Sequence, residues 1–222
     1  AIEDYFDRAY ELEATLQKKK KEGVLEQLEE SLLKPGSASF VRQQAPLGLG
    51  HAIWCARDII DEEPFAILLP DVIVKAEKSC LAQMVDAYDR VGGNVIAVDA
   101  VPEEEVSKYG VIQPKQRDGR VIEMTGMVEK PSRHEAPSNL TITGRYILQP
   151  KIFKLLADQA AGAGGEIQLT DAMARLMLEQ KFYAYEFEGS KYDCGSKEGY
   201  FEAVLGYAVD HPEIGRAARE LV

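Results

Sequence analysis

Ile2, Tyr5, Phe6, Ala9 and Leu12 recur at helical spacing, so residues 1–33 read as helix, with a break near Gly23. The basic run from Lys18 to Lys21 reads as a solvated helix end. Lys34, Pro35 and Gly36 stop the helix, and the weak alternation of 38–43 predicts a short strand. A glycine-rich turn, PLGLGH at 46–51, opens onto a helix at 52–60 with Ala52, Ile53, Ala56, Ile59 and Ile60 on one face. The unbroken apolar run 65–69 predicts a strand buried on both faces of a parallel sheet, ending at Pro70 and Asp71. Leu81, Met84, Val85, Tyr88 and Val91 mark a helix over 80–91 that Gly92 and Gly93 terminate. A second apolar strand follows at 94–101.

Strand, helix, strand, helix, strand in alternation predicts an α/β, doubly wound, mostly parallel sheet with helices on both faces. The character then changes. Residues 109–114, 121–129 and 141–148 read as strands without helices between them, so 102–150 forms a β-rich section and one wall of a cleft. Residues 150–157 read as a short helix, AAGAGGE at 160–166 as flexible, and 169–180 as a helix capped by Thr170. A strand at 182–188, a loop at 191–195 and a helix at 197–209 complete the reading.

Composition narrows this. The chain has 222 residues, 45% of them hydrophobic and 28% charged, enough for a sizeable core in one α/β domain. A formal net charge of −11 repels a polyanion, so nucleic acid is not an expected partner, whereas a few local cations still suffice for a small anion. Cys55, Cys80 and Cys194 are odd in number and widely spaced, with no CxxC. They predict neither a disulfide framework nor a zinc site, and fit a reducing, cytoplasmic setting. No apolar run reaches the roughly 20 residues of a membrane helix, and the acidic start AIEDYFD is no signal peptide.

Asp71 is the leading candidate for chemistry. A carboxylate just past the carboxyl end of a sheet strand lies where open α/β sheets bind ligands, and a hard cation is a suitable partner for it; a plain turn residue is the alternative. Gly48 and Gly50 before a helix let backbone approach a ligand, or simply make a tight turn. Gln43 has an amide able to read a base edge. Glu129 can accept bonds from sugar hydroxyls while Lys130 meets a phosphate, although an EK pair is often just solvated surface. Asp193 in YDCG is a second metal-binding carboxylate or a turn residue. His51, His134 and His211 lack metal-ligand spacing, no Ser/His/Asp or Cys/His set can be built, and no GxxxxGK[ST] loop occurs.

Taken together and in order, VRQQAPLGLGHAIWCARD, FAILLPDV, KYGVI, GMVEKP, APSNLTITGRYIL, GEIQLTDA and YDCGSKEGY resemble the bacterial UTP–glucose-1-phosphate uridylyltransferase family. The stretches span nearly the whole chain. The resemblance implies a Rossmann-like nucleotidyltransferase fold and roles position by position. Gln43 and Gly48 match uracil contacts. Asp71 matches a Mg²⁺ ligand beside the nucleotide phosphate, and Asp193 the second acid of that site. Tyr109 and Gly110 match the glucose pocket, Glu129 the glucose hydroxyls, and Lys130 the lysine that meets the sugar phosphate. Asn139 and Arg145 fall in a matching stretch with no assigned role. The implied partners are UTP, glucose 1-phosphate and UDP-glucose, and the implied assembly is a homodimer or homotetramer.

One departure stands out. The family's GxGTR loop and the lysine-bearing PKE segment have no counterpart in these residues, so the resemblance begins inside the family's fold, in a single domain over 1–222 incomplete at its N-terminus. A chain without that segment is expected to leave 65–69 and 94–101 exposed, and to hold UDP-glucose or glucose 1-phosphate without turning it over. Within the enzymes, a thymidylyltransferase using dTTP is the alternative, against which GLGHA and EIQLTDA favour the uridylyl branch. A purely structural role, through the apolar stripes at 169–180 and 197–209, is the remaining reading.

Overall fold

The computed structural model describes residues 2–158 and 165–221, which fall into two compact units, 1–45 and 46–222. The first carries helices α1 (Ile2–Phe6), α2 (Tyr10–Lys18) and α3 (Glu22–Ser31). The pattern predicts helix over 1–33 with a break near Gly23, which lies inside α3. Instead, breaks fall at 7–9 and 19–21, with Lys20 in the left-handed region at φ 54°. Glu13, buried on α2, takes the Arg8 guanidinium at 2.5 Å. Residues 38–43 form no strand: they are exposed coil, with no ladder partner for so weak an alternation.

The second unit is built on a six-stranded sheet. Its strands are β1 (Phe65–Leu68), β3 (Asn94–Ala100), β4 (Gly110–Asp118), β5 (Val121–Glu129), β6 (Leu140–Leu148) and β7 (Phe182–Glu186), in the order β1-β6-β3-β7-β5-β4. The α/β class holds, but the pairing among the described strands is mostly antiparallel; only β3 and β7 run parallel. The reason lies in the middle section, where β4, β5 and β6 follow one another without crossover helices. Strands joined by short turns must reverse direction, and Gly119, at φ 59°, makes such a turn between β4 and β5.

β3 is the centre of this unit. It lies between β6 and β7, and Val95 to Val98 are wholly buried. Alternate side chains serve opposite faces. Val95 and Ala97 pack with Met84 of α5 (Cys80–Val91). Ile96 and Val98 join the larger core with Leu156 of α6 (Ile152–Ala157) and Met173 and Leu176 of α7 (Leu169–Leu176). Helices therefore cover both faces, and the exposure expected for 94–101 is not seen in 94–98. β1 differs from the doubly buried strand that its composition predicted. It is an edge strand paired only with β6 among the described strands, with Ala66 exposed and Leu68 48% exposed. Its inner face holds Phe65 against Phe153, rings 4.9 Å apart.

Residues 191–195 read as a loop and 72–75 carry no predicted element, yet both contribute strands. β2 (Val72–Lys75) and β8 (Ser190–Asp193) form a separate antiparallel ribbon, with Val72 opposite Asp193. Four residues each carry too little periodicity to register, and it is the mutual pairing that orders them. α4 (Leu49–Cys55) begins earlier than expected, capped by Gly48. α8 (Lys197–Ala208) starts at Ser196, whose hydroxyl accepts from the Gly199 amide, and α9 (Gly215–Leu221) ends the chain's described part. Of the stretch expected to be flexible, 160–164 lie outside the described residues. No described helix is long and apolar enough to cross a membrane.

Candidate active site

A cleft of about 300 Å³ opens where the β4–β5 hairpin, β6, the start of α7 and the β2–β8 ribbon converge. The hairpin supplies one wall. Its register sets Gly110 opposite Glu129, so Tyr109 and Lys130 flank the last rung, and the Lys130 amide donates to the Tyr109 carbonyl at 3.1 Å. Gly110 leaves room for two side chains of the cleft. A Cβ there would lie 3.1 Å from both Glu129 Oε2 and Ile142 Cδ1. Lys130 sits at φ 45°, a left-handed conformation costing a side-chain-bearing residue about 1–2 kcal/mol. Non-glycine residues held this way cluster at functional sites. No carboxylate lies within salt-bridge range of its ammonium group among the described residues.

Thr170 donates to Glu129 Oε2 at 2.8 Å. That overturns its expected place as helix cap; Gln168 occupies the cap position, and the Thr170 hydroxyl is committed across the cleft floor to Glu129.

The ribbon supplies the facing wall. Asp71 is in the turn between β1 and β2, and the Cys194 amide donates to its carbonyl at 2.7 Å. Asp193 ends β8. Gly195 lies between the two carboxylates: a Cβ built on it would be 3.1 Å from Asp193 Oδ1 and 3.5 Å from Asp71 Oδ2. The missing side chain thus leaves a hollow bordered by an oxygen of each. Among the described residues no group of three or more His, Cys, Asp or Glu side chains could enclose a metal. Two carboxylates suit a small hard dication that takes its other ligands from water and substrate phosphate.

Several residues that sequence reasoning passed over belong to the site. Lys191, from β8, pairs with Asp99 at 3.0 Å and lies 5.0 Å from the Tyr109 ring centroid. Tyr146 is buried at the back; burial raises its phenol pKa, aided by the charges of Glu129 and Asp71. Burial likewise raises that of Tyr109, and Asp193 adds to it. Thr143 also lines the cleft and is 2% exposed, yet its hydroxyl has no hydrogen-bond partner among the described residues. Thr143 and Tyr146 lie within the stretch APSNLTITGRYIL and Lys191 directly precedes YDCGSKEGY, so the motifs pointed to the neighbourhood without singling out these side chains.

Gly48, expected at the nucleotide, is outside this lining. It caps α4 at φ 90°, and a Cβ there would lie 2.8 Å from Glu166 Cβ. Ile167 donates to the Leu47 carbonyl and accepts from the Gly50 amide, so both glycines serve the packing of 47–50 on 166–168. Gln43 lies in the other unit, on exposed coil.

A profile of the nucleotidyl transferase family matches residues 9–209. The UTP–glucose-1-phosphate uridylyltransferase of Bacillus subtilis (strain 168) is 46% identical over 214 residues, 96% of this chain and 73% of that protein. Among solved structures, a UTP-bound UGPase from Acinetobacter baumannii superposes with a TM-score of 0.89 at 42% identity, covering 99% of this chain and 77% of its own. A UDP-glucose pyrophosphorylase complexed with UDP-glucose gives a TM-score of 0.81 at 40% identity, with 95% and 77% covered. A putative glucose-1-phosphate thymidylyltransferase from Bacillus anthracis, at 21% identity and a TM-score of 0.61 over 75% of this chain and 63% of its own, shares the fold alone.

Proposed function

The chain belongs to the UTP–glucose-1-phosphate uridylyltransferase family of nucleotidyl transferases, and from its cleft we propose how it forms UDP-glucose and pyrophosphate from UTP and glucose 1-phosphate. The observation that carries the reading is the convergence of a sugar-type wall (Tyr109, Gly110, Glu129 and Lys130) on two neighbouring acids, Asp71 and Asp193.

The nucleophile is a phosphate oxygen of glucose 1-phosphate, already ionised at pH 7. It forms a bond to the α-phosphorus of UTP while the bond to the β-phosphate oxygen breaks, and pyrophosphate leaves. No general base is needed, which fits a cleft whose described lining contains no histidine. The protein's part is in-line positioning and charge stabilisation. Glu129, oriented by Thr170, accepts from glucose hydroxyls. Thr143 offers a buried hydroxyl to the same ligand. Lys130, held by its backbone at the hairpin end, places the attacking phosphate; one such electrostatic contact is worth about 3–4 kcal/mol of barrier. Asp71 and Asp193 would hold a divalent cation, Mg²⁺ in our reading, which supplies neutralisation of phosphate charge when bound. Gln43 and Gly48 are assigned to uracil on the resemblance alone. Residues 102–150 supply the sugar-facing wall. The three free cysteines support a cytoplasmic setting, and assembly into a homodimer or homotetramer is read by sedimentation.

The test is nucleotide competition, with UDP-glucose and pyrophosphate both measured. UTP should be used and dTTP discriminated against. Formation of dTDP-glucose in preference to UDP-glucose would overturn the assignment.

A further inference from the structure

Arg145 belongs to none of the roles above, yet it is placed where it can govern one of them. It lies on β6 opposite Leu68 of β1. There β6 is irregular. Ile142 pairs with Val98 and Tyr146 with Ile96, so β6 spends four steps where β3 spends two. Gly144 takes φ 61° in the middle of this bulge, and a Cβ on it would press within 3.1 Å of Leu69 Cδ1. Bulges re-aim side chains, and are frequent beside active sites.

What the bulge delivers is the Arg145 guanidinium. Nη1 donates to the Leu69 carbonyl at 2.7 Å and to the Gly144 carbonyl at 3.1 Å, and Nη2 donates to the Val72 carbonyl. Leu69 and Val72 bracket Pro70 and Asp71. Leu69 is tied a second time, its amide donating to the Gly144 carbonyl at 2.9 Å. With the Cys194 amide on the Asp71 carbonyl, the backbone carbonyls of 69, 71 and 72 are all held, and the Asp71 carboxylate is left facing the hollow at Gly195.

This is an unusual use of a charge. Arg145 is half-buried, and no carboxylate lies within salt-bridge range of it among the described residues. Burial lowers the guanidinium pKa, and the neighbouring Asp71 charge offsets this only in part. The planar fork reaches the two carbonyls from two separate, rigidly held nitrogens, whereas a lysine presents its three donors from a single point on a flexible stem.

We infer that Arg145 is a positioning residue whose guanidinium fork, bonded to the carbonyls of Leu69 and Val72, fixes the turn that aims Asp71 at the cleft. The inference rests on the reading of Asp71 as an acid of the reaction. A shift of about 1 Å at a reacting group costs about 10²-fold in rate.

The test compares Arg145→Met, Arg145→Lys, Asp71→Asn and the Arg145→Met/Asp71→Asn double variant in the full chain. Amide hydrogen exchange is followed at Leu69, Asp71 and Val72 and, as a control, at 95–98 of the buried strand β3. In Arg145→Met, exchange at 69, 71 and 72 should quicken about 10- to 100-fold with 95–98 unchanged. Its kcat should fall by about 10²-fold, with KM for glucose 1-phosphate within about threefold. The Lys variant should restore little of either. If Arg145 acts through Asp71, the double variant loses no more rate than Asp71→Asn alone. Unchanged exchange at 69, 71 and 72, or rate losses that multiply in the double variant, would overturn the inference. Full activity in Asp71→Asn would sink the reading of the site instead, and the exchange comparison would still decide whether Arg145 holds the turn. Should Arg145→Met not fold, the Lys variant is judged on the same two readouts.

Discussion

Replacing Thr143 by valine separates a residue kept for the fold from one kept for the ligand. The side chain is 2% exposed and its hydroxyl lacks a partner among the described residues. A buried hydroxyl left unsatisfied costs about 1–3 kcal/mol. Valine keeps the branched shape and puts a methyl where the hydroxyl was. The ligand-free protein should therefore gain about 1–3 kcal/mol. For a chain of this size each kcal/mol moves Tm by about 2–4 °C, so a rise of at least about 2 °C is expected by calorimetry. Substrate binding should move the other way. A hydrogen bond worth about 0.5–1.5 kcal/mol corresponds to a KM for glucose 1-phosphate raised about 2- to 12-fold, with kcat largely kept. Thr143→Ser is the control: it keeps the hydroxyl and the KM while losing a methyl's worth of stability. A fall in Tm for Thr143→Val would show that the hydroxyl has a native partner. An unchanged KM would show that no substrate uses it.

Other expectations follow from the same geometry. Lys130 occupies a left-handed conformation, so Lys130→Gly should be more stable than Lys130→Ala by about 1 kcal/mol in denaturant titration, while both raise KM for glucose 1-phosphate. Equal stabilities would mean the backbone there is unstrained in solution. Burial pushes the Cys80 thiol up to about 11, from about 9 for an ordinary one. Between those values the unfolded chain has lost this proton and the native protein retains it, so native stability is intact below about pH 9 and declines from there towards pH 11. Tyr109 and Tyr146, whose pKa values burial also raises, add to the decline at higher pH. Thermal melts from pH 8 to 11 should show Cys80→Ala losing less stability over the first part of that range; parallel curves would refute it.

Much of the architecture was legible along the chain because it depends on near neighbours in sequence. The 3.6-residue period fixed α5, and the apolar run at 94–101 announced a strand, which the structure buries on both faces over 95–98. Gly48 and Gly50 could be flagged from their place before a helix, Gly110 from the resemblance alone, and the motif set identified the family. What the local pattern could not carry was pairing. β2 and β8 are four residues each and exist as a ribbon only because residues about 120 apart meet. The apolar run at 65–68 resembled a buried strand, but its neighbours in space, not its composition, decide that it is an edge. Thr170 looked like a helix cap until Glu129, 41 residues away, claimed its hydroxyl.

The site divides along the same line. Asp71, Glu129, Lys130 and Asp193 could be singled out by residue type and motif. That Asp71 and Asp193 border one hollow at Gly195 follows from the β2–β8 register, that Lys130 sits strained at the hairpin end follows from the β4–β5 register, and that Arg145 grips the Asp71 turn follows from a bulge in β6. Residue identity set which chemistry was available. Long-range strand pairing, which no short stretch of sequence encodes, decided which of those groups share a cleft.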